Sequence, residues 1–403
     1  MLNSLANRFY VKLLYIFISL SFATIIADFS YFNLLNKATL ALGLFFIVIT
    51  FLERLFFRIR KIYSFEYFLY LFLALTLYLN YTEYKLPNNF KVWFVNLMIM
   101  TVIFSIDTYK SKYDLIKELK IISYFYVGFT FILSFASLFI IFINNINPAI
   151  LNKLPISLDS YIGLFKNENS FGIAAALSFM ITLYLIFDSN KFSLKALFNI
   201  NLIIQFISIF VSKGRSALFP LLTLFLLFLL YKFKNIYFRV SIIGIPIIAS
   251  IVGFFTLPPN ILHKILTSRE YLWQSAFRLF QKYPLTGVGS VNKVGRIQDV
   301  RVAYLQGLEA GGLHNIFFEI LAVNGLFALI LFILFLVFLF IFLFKKISKI
   351  SNRNKLTYSM LTSLLLSIVF INLLESSLVY IISFISIIFW VYAGYLVAIL
   401  DKR

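Results

Sequence analysis

Apolar runs recur along the chain from Val11 to Leu400, and many exceed the roughly 18 residues that mark a membrane-spanning helix. Short clusters rich in lysine and arginine separate them. The runs do not alternate: Phe225-Leu226-Leu227-Phe228 and the stretch from Phe332 to Phe344 are apolar on every side. A membrane-spanning strand would alternate lipid-facing and lumen-facing positions. A helix satisfies its own backbone hydrogen bonds in hydrocarbon, so helices are the economical reading. The pattern predicts an all-α, polytopic integral membrane protein with about 12 transmembrane helices. Their expected spans are about 11–27, 34–52, 64–81, 90–106, 121–143, 169–187, 195–211, 216–231, 238–256, 314–344, 357–374 and 379–400. The tenth is long enough to tilt or to project from the bilayer. The chain thus divides into spans one to nine (1–256), a long extramembrane segment (257–313) and the last three spans (314–403).

Alternating the spans sorts the loops into two sets. The set holding both termini carries the greater share of the 36 Lys and Arg, as in Arg54-Arg58-Arg60-Lys61 and Lys345-Lys346-Lys349-Arg353-Lys355. Excess Lys and Arg marks the cytoplasmic side. Both termini are therefore expected inside, and 144–168, 212–215 and 257–313 outside. The first apolar run meets no small-residue cleavage site and is followed by further spans, so it reads as a helix and not as a signal peptide. Within 257–313, Leu257-Pro258-Pro259 ends a span because proline lacks an amide donor. Residues 268–283 read as an amphipathic helix with Leu272, Ala276, Leu279 and Tyr283 at helical spacing.

Composition then removes several functions. The net charge of +20 does not imply nucleic acid, because the basic residues lie in clusters between spans and not on one soluble face. Charged residues make up only 13% of the chain, about half of what a soluble domain carries. Cysteine is absent, which removes disulfides, thiol nucleophiles and thiolate metal sites. With only His263 and His314, a multi-histidine metal centre is not expected, and neither a metal nor a cofactor is predicted.

The candidate chemistry lies on the expected outer side. Arg215 opens the eighth span at a helix N-terminus, where backbone amides favour anions. A guanidinium there suits bidentate phosphate binding, although an arginine near a membrane end is also an ordinary interfacial anchor. Arg269 by itself reads as the partner of Glu270 or as a charge on a solvated helix face. Arg278, Arg296 and Arg301 read as surface charges that make the outer segment basic, which suits a polyanionic or pyrophosphate substrate. His314 begins the tenth span, where the helix field disfavours imidazolium and leaves a neutral proton acceptor. Gly287 and Gly289 read as a tight turn, since no full glycine fingerprint surrounds them. Asp159, Glu168, Glu309, Glu319 and Glu375 are outer carboxylates with no spacing that pairs them.

Three stretches occur in a telling order: Ser268-Arg269-Glu270-Tyr271-Leu272-Trp273, then Tyr283-Pro284-Leu285-Thr286-Gly287-Val288-Gly289, then His314-Asn315 with Gly325. Upstream stand Gly163-Leu164-Phe165-Lys166-Asn167-Glu168-Asn169 and Lys213-Gly214-Arg215-Ser216. The set resembles the O-antigen polymerase and O-antigen ligase superfamily. It departs from that pattern at Ala328 and at Glu168, where the family commonly has proline. The resemblance implies a twelve-helix, metal-independent membrane glycosyltransferase of the bacterial inner membrane, with its site on the extracytoplasmic face. Its donor would be an undecaprenyl-diphosphate-linked oligosaccharide. Arg215 and Arg269 would bind the diphosphate and His314 would act as base, supported by Asn315, Arg278 and Glu319. A flippase and a chain-length regulator are the further partners implied. Within this reading the chain is expected to be a polysaccharide repeat-unit polymerase for O-antigen or capsule. The alternatives are a ligase acting on lipid A-core or another acceptor, and, from another class, a lipid-linked oligosaccharide flippase. Paired halves and broken helices would favour the flippase, and neither is visible in the sequence.

Overall fold

A computed structural model describes the chain except for residues 1–6, 54–59, 147–161, 190, most of 233–255, 306–307, 309–311 and 403. It is helical, with no named strand among the described residues. The helices run in the order α1 (Phe9–Phe22), α2 (Ser30–Leu52), α3 (Ser64–Leu79), α4 (Pro87–Met98), α5 (Lys112–Ile146), α6 (Glu168–Asp188) and α7 (Phe192–Val211). They continue with α8 (Leu218–Lys232), α9 (Pro259–Leu266), α10 (Arg269–Lys282), α11 (Lys293–Asp299), α12 (Ile316–Ser348), α13 (Asn352–Ile371) and α14 (Phe384–Asp401). Seven described helices are long and apolar enough to cross a membrane, α2, α5, α6, α7 and α12 to α14 in the main. Shorter helices fall on the other expected spans, while the ninth, 238–256, lies largely outside the described residues. Two of the shorter helices are extended by π-helical turns, Asn80–Tyr84 after α3 and Ile99–Ile103 after α4.

The last helix is the post around which the others pack. From Phe384 to Leu400, α14 is buried on every side, as expected of a helix that is apolar all round. Trp390 is enclosed by Phe104 and Phe335 at ring-centroid distances of 5.2 and 5.3 Å. Outer helices such as α2 and α7 instead expose Leu44, Phe45, Phe51, Ile203 and Phe210. Their exposed apolar faces are what a lipid environment would cover.

The two ends of the bundle differ in chemistry. At one end, Asp107 faces Arg60 at 3.0 Å, Lys110 at 3.6 Å and Lys12 at 3.8 Å. Glu53 pairs with Arg8 at 3.1 Å and also with Arg60. Asp401 closes the same end against Lys346 and Lys61. Burial alone would raise the Asp107 carboxyl, but the Lys12, Arg60 and Lys110 charges outweigh it and hold it at about 2. The other end carries α9 to α11, the start of α12 and the loop after α13.

The tenth span is not one straight helix. Gly325 has φ 78° and ψ −173°, which breaks α12 into a short first part and a long second part. The sequence shows a long span, fit to tilt or to project, and no broken helix; the break at Gly325 corrects the second of these. The break is satisfied from the turn 284–289. Leu326 N donates to Pro284 O at 2.9 Å, while Val288 N and Gly289 N donate to Ala322 O and Val323 O at 3.0 and 2.9 Å. Buried backbone groups freed by a helix break need such partners. Both contact points need glycine. A Cβ on Gly287 would strike the Val323 backbone, and one on Gly325 would strike Leu285 O. Gly287 and Gly289 therefore do form a tight turn, and its role is to seal the helix break.

Candidate functional site

The loop after α13 is pinned to the start of α12. Ile316 N donates to Asn372 O at 2.9 Å, Asn315 Nδ2 donates to Leu373 O at 3.1 Å, and Ser377 N donates to Asn372 Oδ1 at 2.7 Å. Asn315 also caps α12, its Oδ1 accepting from Phe317 N and Phe318 N at 2.9 and 3.2 Å. A cap of this kind satisfies amides that the first helical turn leaves free. The residue before it, His314, is in the left-handed region at φ 49°. Leu313 is held from both sides, because Trp273 Nε1 donates to its carbonyl at 3.1 Å and its amide donates to Glu319 Oε2 at 3.0 Å. Glu319 is buried and also pairs with Lys293. Asn315 and Glu319 thus set the backbone that aims His314.

The carboxylate of Glu375 gathers the rest. Its Oε1 accepts from Asn169 Nδ2 at 2.9 Å and from Ser216 Oγ at 3.1 Å, and lies 3.5 Å from Arg269 Nη2. Its Oε2 lies 3.5 Å from His314 Nδ1, longer than a good hydrogen bond. Asn169 follows the cap of α6, and Ser216 belongs to the 3-10 turn Arg215–Ala217 that opens α8. These two segments meet closely at Gly214, where a Cβ would come within 2.9 Å of Glu168 O. Four distant segments therefore converge on one carboxylate. The imidazole faces it with Nδ1, which leaves Nε2 for another partner.

Two of the anticipated arginines stand here. Arg269 is largely buried, with its side chain 12% exposed. Burial pushes its guanidinium pKa down, Glu375 opposes that, and the nearby Arg215 charge adds to the lowering. The alternative in which Arg269 pairs with Glu270 is not formed. Glu270 Oε1 instead accepts from His263 Nδ1 at 2.7 Å. Arg215 departs from expectation in its orientation. It begins a 3-10 turn, and its Nη1 donates to Lys264 O and Ile265 O at 2.8 and 2.6 Å. Those are carbonyls at the C-terminal end of α9, which a helix leaves unpaired and partly negative. Arg278 is not brought to the cluster. It is exposed and lines an open cleft of about 480 Å³ with Gln281, Lys282, Asp299 and Arg301.

The sequence reading missed Glu375, Asn169 and Ser216 as site residues. In the sequence Glu375 is one outer carboxylate among five with nothing to pair it. The available signal was its place: a lone carboxylate between the last two apolar runs, at the same end as His314. Among the described residues, no group of three or more His, Asp or Glu is placed to hold a metal ion. The arrangement can bind an anion between cationic side chains and can take a proton from a group held next to Nε2 of His314.

The segment 200–333 matches a family model described as O-antigen ligase. It takes in Arg215, Arg269, His314 and Gly325 and ends before Glu375. No curated protein matches the chain.

Proposed function

We propose that this chain, a member of the O-antigen polymerase and O-antigen ligase superfamily, polymerises polysaccharide repeat units by transferring glycan from an undecaprenyl-diphosphate carrier to an acceptor sugar hydroxyl. The observation that carries this reading is Glu375, which joins a buried arginine to an imidazole at one polar end of an apolar bundle. In the proposed reaction the acceptor oxygen attacks the anomeric carbon as the bond from that carbon to the diphosphate breaks. The bonding electrons leave with the diphosphate, whose charge Arg269 and Arg215 stabilise. Fixed cations aimed at a developing charge are an effective form of catalysis and need no metal. The hydroxyl proton passes to Nε2 of His314, which Glu375 orients through Nδ1. Arg215 reaches the diphosphate by exchanging the two α9 carbonyls for phosphate oxygens, acceptors of the same kind. The site faces outward from the bacterial inner membrane, with both termini cytoplasmic.

One observation favours a second reading, because the matching family model is described as O-antigen ligase. A ligase shares the chemistry and differs in acceptor. Purified protein with lipid-linked repeat units and a chelator tests both. A ladder of repeats on the carrier supports the polymerase, and a single transfer to another lipid supports the ligase. Movement of intact donor across vesicles without a new glycosidic bond would support a flippase. His314→Ala should lower transfer by about 10²–10⁴-fold while the donor still binds. Full activity of that variant would end the base assignment, and activity restored only by magnesium would end the metal-independent mechanism.

A further inference from the structure

The ammonium of Lys293 takes no part in the proposed transfer, yet its partner holds the residue before His314. Lys293 on α11 and Glu319 on α12 are 5% and 4% exposed and pair with each other. A buried ion pair is a poor source of stability, since apolar side chains of similar size often do as well. What this pair does hold is Leu313, whose N–H donates to Glu319 Oε2 at 3.0 Å. From the other side Trp273 Nε1 donates to the Leu313 carbonyl at 3.1 Å. The indole is itself fixed, stacked on Phe318 with ring centroids 5.8 Å apart and planes 12° from parallel. The Leu313 side chain is wholly buried in a small apolar core with Leu272, Ala276 and Ile297, separate from the core of the bundle. Leu313 is therefore held at amide, carbonyl and side chain.

The Leu313 carbonyl belongs to the peptide plane that leads into His314, and His314 has φ 49°. A side chain in that region is uncommon, and such a backbone persists only where its surroundings over-determine it. On the far side the chain is fixed by Ile316 N, which donates to Asn372 O. On the near side only the holds on Leu313 keep the plane from turning and carrying the imidazole off Glu375. An ionised Glu319 is purely an acceptor and so suits the Leu313 amide. It stays ionised when buried only beside a cation, which Lys293 supplies. Trp273 has a second connection, because α10 also carries Arg269, four residues away. The two lie one turn apart, about 6 Å along the axis. One helix thus bears both the cation proposed for the diphosphate and the clamp on the backbone of the proposed base.

We infer that Trp273 and Lys293 are positioning residues, which act through Leu313 to keep His314 aimed and in register with Arg269. Trp273 does so by holding the carbonyl, and Lys293 by keeping Glu319 charged against the amide. The inference rests on the glycan-transfer reading above, in which His314 takes the proton of the acceptor. It makes α10 and α11 a frame for the base.

The test is Trp273→Phe in purified full-length protein, which keeps a ring against Phe318 and loses the N–H. Single-turnover transfer should fall about 10–10²-fold, the scale of a slightly misplaced reacting group, while undecaprenyl diphosphate binds as it does to wild type. Lys293→Met should act alike. The decisive comparison is the double variant. In a His314→Ala background Trp273→Phe should cost nothing further, because a residue that acts through the imidazole then has nothing to position. An equal loss with and without His314, or a wild-type rate in Trp273→Phe, overturns the inference. If Trp273→Phe does not fold, 3-benzothienylalanine at position 273 keeps the tryptophan shape with sulfur in place of N–H and takes the same measurements. A wild type that transfers no glycan would end the proposed function, and the positioning is then read from the imidazole nitrogen resonances. The chain has only two histidines, so His263→Gln assigns them. Trp273→Phe should shift or broaden the His314 signals, and unchanged signals overturn the positioning.

Discussion

Glu375 and His314 face each other at 3.5 Å across the junction of two different transmembrane segments. The same carboxylate accepts from Asn169 and Ser216, so it is held in place whether or not the histidine is present. Glu375→Gln keeps an oxygen for those two donors but removes the charge. Transfer should fall about 10²-fold or more, on the scale of a positioned proton acceptor, with donor binding largely kept. Single-turnover assays on purified variant measure this, and a wild-type rate would exclude Glu375 from the reaction.

The two arginines differ in setting and should agree in effect. Arg269 is buried against Glu375, whereas Arg215 is exposed and bonded to the carbonyls that end α9. Alanine at either position should abolish or severely reduce glycan transfer while leaving membrane insertion intact. Lysine should rescue poorly at both, because a point charge lacks the planar two-donor edge. Polymer at wild-type levels in either alanine variant would remove that residue from the site.

Sidedness follows from the ends of the bundle. Lys61, Lys346 and Asp401 share one end, and His314, Arg269 and Glu375 share the other. With the loop charges, this predicts that reporters fused at Lys61 and Lys349 read cytoplasm and that reporters within 285–305 read the outside. A cytoplasmic signal from 285–305 would overturn the orientation and the outward-facing site together.

Asp107 should matter for stability and not for chemistry. Its carboxylate balances Lys12, Arg60 and Lys110. Breaking such a buried cluster by removing one partner costs about 3–5 kcal/mol, so Asp107→Asn should lower the thermal midpoint in detergent. The folded carboxyl sits at about 2, below its ordinary 3.8. Its contribution is therefore full above pH 4 and is lost as pH falls from about 4 towards 2. The variant should show a flatter acid limb in that window. An unchanged midpoint and acid limb would show the cluster to be dispensable.

Much of the fold was legible because long apolar runs leave a chain little choice but helix in lipid. The amphipathic helix 268–283 appears as α10, with Leu272, Ala276 and Leu279 buried. Arg269 and His314 stand out in the sequence as polar groups at apolar boundaries, and the structure brings both to Glu375. Glu375 was not, because its meaning lies in partners brought together only by packing: Asn169 from the start of α6, Ser216 from the start of α8, Arg269 from α10. The direction of Arg215 was hidden for the same reason, as it depends on where α9 ends. Nor did the sequence reveal the break at Gly325, because the apolar pattern runs straight through it.

The pairing of Gly287 with Gly325 has a consequence for how such proteins can be recombined. The turn 284–289 and the break of the tenth span complete one another's backbone bonding, each through a glycine that admits no side chain. Neither piece is a module. A chimera that imports an outer segment from a relative without the matching helix break would bring a foreign turn against unpaired carbonyls within the bundle. Grafts that aim to change the sugar accepted should therefore take 284–289 and 322–326 from the same parent, and exchange freely only what lies outside that joint.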